Sequence, residues 1–146
     1  MKQKVSDYIA DHIAEWGIRD VFTVTGGGAM HMNDAFGHHP KLHCTYQHHE
    51  QACMDNRMAA VCVTTGPGAT NAITGVLGGW MDSIPMLVFS GQARYATTVA
   101  ASGLKLRSMG VQECHIVPVV TSITKYAQMI IHPEDIRYHL ETALSM

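Results

Sequence analysis

The sequence predicts an α/β domain, an open and mostly parallel sheet with helices on both faces. Three observations carry that expectation. Short β-rich runs alternate with helical patterns along the 146 residues. Glycine-rich turns follow the runs, at Gly26-Gly27-Gly28, Gly66-Pro67-Gly68 and Gly91. Charge is scarce, with Asp, Glu, Lys and Arg at 15% of residues, against roughly 25% in an average soluble domain. Strands alternating with helices in this way imply a parallel sheet covered on both faces.

The elements follow in order. Val5, Ile9 and Ile13 recur at helical spacing, Trp16 joins them, and Gly17 stops a first helix. Val21 to Val24 reads as a buried strand, followed by the glycine triplet and a short helix from Met30 to Phe36 that ends at Gly37. Leu42 to Tyr46 is a second strand, and Met58 to Thr65 a third that ends in Gly-Pro-Gly. Thr70 to Trp80 is a helix of small residues, and Met86 to Ser90 a fourth strand. Gln92 to Gly110 reads as a long polar loop, Gln112 to Val120 as a short helix and Ile123 to Ile131 as a further strand. Pro133, with Glu134 and Asp135 in the first turn, opens a last helix striped by Ile136, Leu140 and Leu144. No repeat and no linker interrupts the chain, so residues 1–146 are expected to form one domain.

Composition excludes several classes. With 47% hydrophobic residues this is not a disordered chain. Ten Lys and Arg against 12 Asp and Glu argue against a nucleic-acid partner. No apolar run reaches the roughly 18 residues of a membrane span. Met1-Lys2-Gln3-Lys4 leads into an amphipathic pattern and not into a signal core, so a cytoplasmic protein is expected. Cys44, Cys53, Cys62 and Cys114 contain no C-x-x-C and read as free, mostly buried thiols. The ten histidines include the adjacent pairs His38-His39 and His48-His49, which share no face, and no metal site is expected on them. From Val61 to Ala93 the only charged residue is Asp82, so this stretch is expected to pack against something.

One connection is short. A parallel crossover needs a dozen or more residues, usually with a helix. Gln47 to Arg57 supplies 11, barely one helical turn after a bend at each end. Either the strand pairing differs, or residues are missing between Glu50 and Arg57.

Three features could carry chemistry. Gly26-Gly27-Gly28 stands between a strand and a helix, where glycine lets a ligand approach the backbone. It is not G-x-G-x-x-G, which argues against a dinucleotide module. Gly66-Pro67-Gly68-Ala69-Thr70-Asn71 occupies an equivalent place, and Asn71 can cap a helix or reach a ligand. Glu50, past the second strand, can serve as a helix-dipole partner or as a catalytic carboxylate. Spacing leaves the local and the ligand readings open for each. Their convergence on the carboxyl edge of a parallel sheet favours a site.

Several segments occur together and in order: Phe22 to Met30, His49-Glu50-Gln51-Ala52, Val63 to Gly75, Asp82-Ser83-Ile84-Pro85-Met86, Ser90-Gly91-Gln92, Gln112-Glu113 and Ile123-Thr124-Lys125-Tyr126. Over nearly the whole chain they resemble the N-terminal, pyrimidine-binding domain of thiamine-diphosphate enzymes, above all the acetolactate (acetohydroxyacid) synthase large subunits. The block G-P-G-A-T-N with D-S-I-P-M is specific; the glycine triplet is not.

The resemblance implies the thiamine-diphosphate-binding fold and a 2-keto-acid carboligase or decarboxylase acting on a pyruvate-like substrate. Glu50 matches the family glutamate that bonds a pyrimidine nitrogen and promotes the imino tautomer, which deprotonates the thiazolium carbon. Gly26 and Gly27 would lie at the aminopyrimidine, Pro67 and Asn71 would line the same pocket, and Gln112 would face the substrate. Magnesium would be held with the diphosphate by a later G-D-G…N domain, which nothing before Met146 resembles, so no metal ligand is expected here. A flavin (FAD) would likewise depend on later domains. The family site forms between subunits, which implies a homodimer or larger homo-oligomer and an isolated domain that is catalytically incomplete. The family helix of small residues lies at that subunit contact, so Ala72 to Met81 should be covered by a partner or left exposed in a lone chain.

Two departures stand out. Thr25 replaces a usual proline. After Glu50, Cys53 runs directly into Met54-Asp55-Asn56-Arg57, about nine residues short of the family pattern and where a crossover is already too short. Both arguments point to residues missing after Cys53. The alternative to an enzyme is a non-catalytic binding or assembly module of the same fold.

Overall fold

The structure is a computed structural model that describes residues 2–48 and 58–146. Its centre is a four-stranded parallel sheet in the order β2-β1-β3-β4. Helix α1 (Val5–Glu15) buries Ile9, Ala10, Ile13 and Ala14 and closes at Gly17, whose φ of +87° suits the left-handed end of a helix. β1 (Asp20–Thr23) lies between β2 (His43–Tyr46) and β3 (Ala59–Val63), with Val21 opposite both Cys44 and Ala60. Helix α2 (Met30–His38) connects β1 to β2. α3 (Pro67–Asn71) and α4 (Ile73–Met81) lead from β3 to β4 (Met86–Ser90), where Val61 pairs with Val88.

All of β3 is buried, and its alternation divides the core in two. Ala60 and Cys62 pack with Ile9 and Ile13 of α1, Phe36 of α2, and Leu140 and Leu144 of α7 (Ile136–Ser145). Val61 and Val63 face the other way, toward Ala69, Ala72, Phe22, Val88 and Ile116. Burial pushes the Cys62 thiol up to about 12, so it stays protonated. Cys44, Cys62 and Cys114 are free thiols, as expected, but only Cys62 is buried and the other two are half-buried; Cys53 lies outside the described residues.

β2 and β3 flank β1 and run parallel to it, so the chain between Tyr46 and Ala59 must cross β1. Residues 49–57 of that connection, and with them the question of residues missing after Cys53, lie outside the described part.

Four expectations are corrected. Ile123 to Ile131 forms no strand: a 3₁₀ turn covers Thr121–Ile123, and the rest makes no ladder. That run instead borders an apolar cleft of about 880 Å³ with β4 and α7. The helix expected over Thr70 to Trp80 starts earlier, because Pro67 suits a first turn, and divides at Ala72. The loop after Gln92 contains a 3₁₀ turn (Tyr95–Thr97) and a short helix α5 (Val99–Ser102), capped by the Thr98 hydroxyl and ended by Gly103 at φ +67°. The helix expected from Gln112 begins only at Ile116 (α6, Ile116–Val120), because Gln112 has a φ of +55°. Among the described residues no helix is long and apolar enough to cross a membrane.

Candidate functional site

In an open parallel sheet the ligand crevice lies where successive connections leave in opposite directions. Here the chain moves outward from β1 to β2 and then returns past β1 to β3, so that point falls between β1 and β3. The turn after β1 carries Gly26-Gly27-Gly28 and the turn after β3 carries Thr64-Thr65-Gly66.

The two turns are bound together. The Gly28 N–H donates to the Thr64 hydroxyl at 3.1 Å. A Cβ on Gly26 would lie 2.5 Å from Thr64 Cβ, and one on Gly28 would lie 3.1 Å from the Thr65 main chain. The turn after β4 joins them, since a Cβ on Gly91 would reach the Gly28 carbonyl at 2.4 Å. Gly27 differs: nothing lies within 4 Å of the Cβ position, and the residue is exposed. Gly26 is therefore glycine for the sake of Thr64, whereas no neighbour within 4 Å requires glycine at Gly27.

The segment 110–114 closes the same edge. Gly66 has a φ of +56°, and a Cβ there would stand 2.0 Å from the Gln112 carbonyl oxygen. The Thr65 hydroxyl lies 2.9 Å from Gln92 Oε1 and 3.3 Å from the Gln112 carbonyl, with one proton to donate. Gln92 in turn accepts from the Ala93 N–H at 2.8 Å and donates to the Cys114 carbonyl at 2.9 Å. The Glu113 carboxylate accepts from the backbone N–H groups of Val99, Met109 and Gly110 at 2.8 to 3.0 Å. The Gly110 bond above all holds this carboxyl below its ordinary range, aided by those of Met109 and Val99 and opposed by partial burial. Below the edge, the Thr23 hydroxyl reaches the Cys62 carbonyl at 2.8 Å and Asn33 Oδ1 at 3.0 Å, which ties β1 to β3 and α2.

The sequence-predicted residues fall as follows. Gly26 and Gly27 are at the switch point, and the backbone of Gln112 meets Gly66, directly before Pro67. Pro67 and Asn71 are exposed on α3, Asn71 a turn further from Gln112. Glu50 lies outside the described residues, four positions past the carboxyl end of β2. None of Gly26, Gly27, Pro67, Asn71 or Gln112 lines the 880 Å³ cleft, which reaches this edge at Val63, Ser90, Gly91 and Gln92. Thr64, Thr65, Gln92 and Glu113 were given no role by the sequence. One signal was available for Glu113: it is the only carboxylate between Asp82 and Glu134. Among the described residues no group of three or more His, Cys, Asp or Glu could hold a metal ion. His38, His39 and His43 instead lie beside Asp34, Asp11 and Asp20.

Comparison with known proteins adds a family. Residues 3–106 match the family described as "Thiamine pyrophosphate enzyme, N-terminal TPP binding domain". The acetolactate synthase isozyme 3 large subunit of Escherichia coli (strain K12) is 31% identical over 147 aligned positions, which cover 94% of this chain and 24% of that protein. The large subunit of Lactococcus lactis is 31% identical over 140 positions, covering 90% and 23%. Acetolactate synthase 2, chloroplastic, of Zea mays is 30% identical over 146 positions, covering 92% and 21%. The chain thus spans about a quarter of the length of these relatives. Since 94% of 146 residues is about 137, about ten of the 147 positions aligned with the E. coli protein face no residue of this chain. The same arithmetic gives about nine for L. lactis, with 90% or about 131 residues in 140 positions.

Proposed function

The chain belongs to the thiamine pyrophosphate enzyme N-terminal TPP binding domain family, and on that premise we propose that it forms the pyrimidine side of a thiamine-diphosphate site in an acetolactate synthase-like carboligase or decarboxylase. The observation that carries this reading is the open backbone of Gly27 at the β1/β3 switch point, on a platform fixed by Thr64 and Gly91. A flat ring needs a surface without side chains, and a Cβ at Gly27 would fill that space, so the residues fit the group.

When bound, thiamine diphosphate supplies the electron sink that makes decarboxylation and carbon–carbon bond formation at a 2-keto acid feasible. The chain's own residues orient it and handle one proton. Glu50 is assigned the carboxyl that shares a proton with a pyrimidine nitrogen, which is general acid–base work. Gly26 and Gly27 admit the ring, Pro67 stiffens the turn beside it, and Asn71 lines the same pocket. Gln112, whose side-chain amide can donate and accept, faces a pyruvate-like substrate.

Diphosphate, magnesium and the rest of the site belong in this reading to a second domain of a partner subunit, in a cytoplasmic homodimer or larger homo-oligomer. The exposed apolar residues of α4 support that partner: Leu77, Trp80 and Met81 are 41%, 46% and 73% accessible. About nine or ten positions of the relatives have no counterpart in this chain; if they fall after Cys53 as a natural shortening, they favour the second reading, a non-catalytic assembly module. Glu50→Gln in the complete protein decides between the two. Loss of acetolactate or acetoin formation by about a hundredfold or more is expected of a catalytic acid–base group; unchanged turnover rejects the catalytic reading.

A further inference from the structure

Gln112 occupies a conformation that a side-chain-bearing residue rarely adopts, with φ at +55°. Something must hold it there. Its carbonyl rests against Gly66 and near the Thr65 hydroxyl, which fixes one side of the turn to the end of β3. The other side is fixed by its neighbour. Glu113 Oε1 accepts from the Val99 N–H at 2.8 Å, at the start of α5. Oε2 accepts from the N–H groups of Met109 and Gly110, both at 3.0 Å. The Glu113 N–H returns to the Gly110 carbonyl at 3.1 Å. Gly110 itself is buried, with room for no Cβ beside Ala93 and Thr97. One carboxylate thus ties both ends of the segment 99–110 to the turn that presents Gln112. A carboxylate can do this where an amide cannot, because both of its oxygens accept.

We propose that Glu113 is a positioning residue, whose two carboxylate oxygens clasp residues 99–110 and thereby hold Gln112 in its left-handed conformation at the mouth of the crevice. It touches no reacting group and acts through Gln112. The clasp stands on geometry alone; its use in catalysis rests on the function proposed above.

The test is amide hydrogen exchange on the whole chain at neutral pH, with thiamine diphosphate binding measured separately. Glu113→Gln keeps one accepting oxygen, so protection should fall about tenfold or more at Val99, or at Met109 and Gly110, as expected for losing bonds to a charged group. Amides of β3 should be unchanged. Adding Gln112→Gly should recover part of the stability lost in urea unfolding, because glycine adopts positive φ freely. In the complete enzyme Glu113→Gln should raise KM for the 2-keto acid, and adding it to Gln112→Ala should change nothing further. Wild-type protection in Glu113→Gln, equal loss throughout β3, no rescue by glycine, or additive kinetic effects each overturn the proposal. If the exchange results hold but the complete enzyme binds no thiamine diphosphate, the clasp stands and the proposed function fails.

Discussion

Gly27 and Gly66 are glycine for opposite reasons, and substitution separates them. Alanine at Gly66 must take a φ of +56° with its Cβ 2.0 Å from the Gln112 carbonyl. Gly66→Ala should cost at least about 2 kcal/mol in urea unfolding. Gly27→Ala meets nothing, so stability should change by less than about 0.5 kcal/mol, while titration with thiamine diphosphate should show weakened binding. Glu113 makes a second prediction. Its carboxyl is held below the ordinary 4.5, chiefly by the Gly110 N–H. A depressed carboxyl favours the folded state once the unfolded chain has lost its proton. The clasp should therefore contribute fully above about pH 5 and fade as pH falls through the lowered value. The stability difference between wild type and Glu113→Gln, followed from pH 7 to 3, should shrink toward acid; a constant difference would contradict it. The site was legible in sequence where glycine and proline mark turns. Thr64, Thr65 and Gln92 were not, because their importance comes from what they touch across 20 to 50 residues of chain, and short-range patterns carry no such information.

At the scale of elements, β1 to β4 were read to within a residue or two. β3 and β4 announce themselves as nearly unbroken apolar runs ended by glycine turns. The run Ile123 to Ile131 has the same composition without the same outcome, since a strand requires a partner as well as a propensity. Thr124 is turned back by its hydroxyl bond to the Val120 carbonyl, and Tyr126 is engaged by His139 of α7. Among the described residues β4 thus has only β3 as a neighbour, and its residues are half-buried up to an exposed Ser90, whereas β3 is covered on both faces. Stability should be graded accordingly. In native-state hydrogen exchange, β3 amides should open only with global unfolding, and the 124–131 segment should exchange at least about tenfold faster. Equal protection would mean that this segment is docked more firmly than its contacts indicate.

For the whole molecule, the run from Val61 to Ala93 with Asp82 as its only charge serves two purposes. Its first part is core, as Val61, Val63, Ala69 and Ala72. Its second part is surface, as Leu77, Trp80 and Met81. Trp80→Glu combined with Met81→Glu should leave monomer stability within about 1 kcal/mol, as exposed substitutions do. It should shift sedimentation toward a monomer if α4 is the subunit contact. The crevice has a further consequence. The turns after β1, β3 and β4 meet main chain to main chain, Gly91 on Gly28 and Gly66 on Gln112. Their conformational entropy is given up when the chain folds, before any ligand arrives. On the proposed function, a ring entering beside Gly27 would find these three turns already arranged, and their ordering would not count against its affinity.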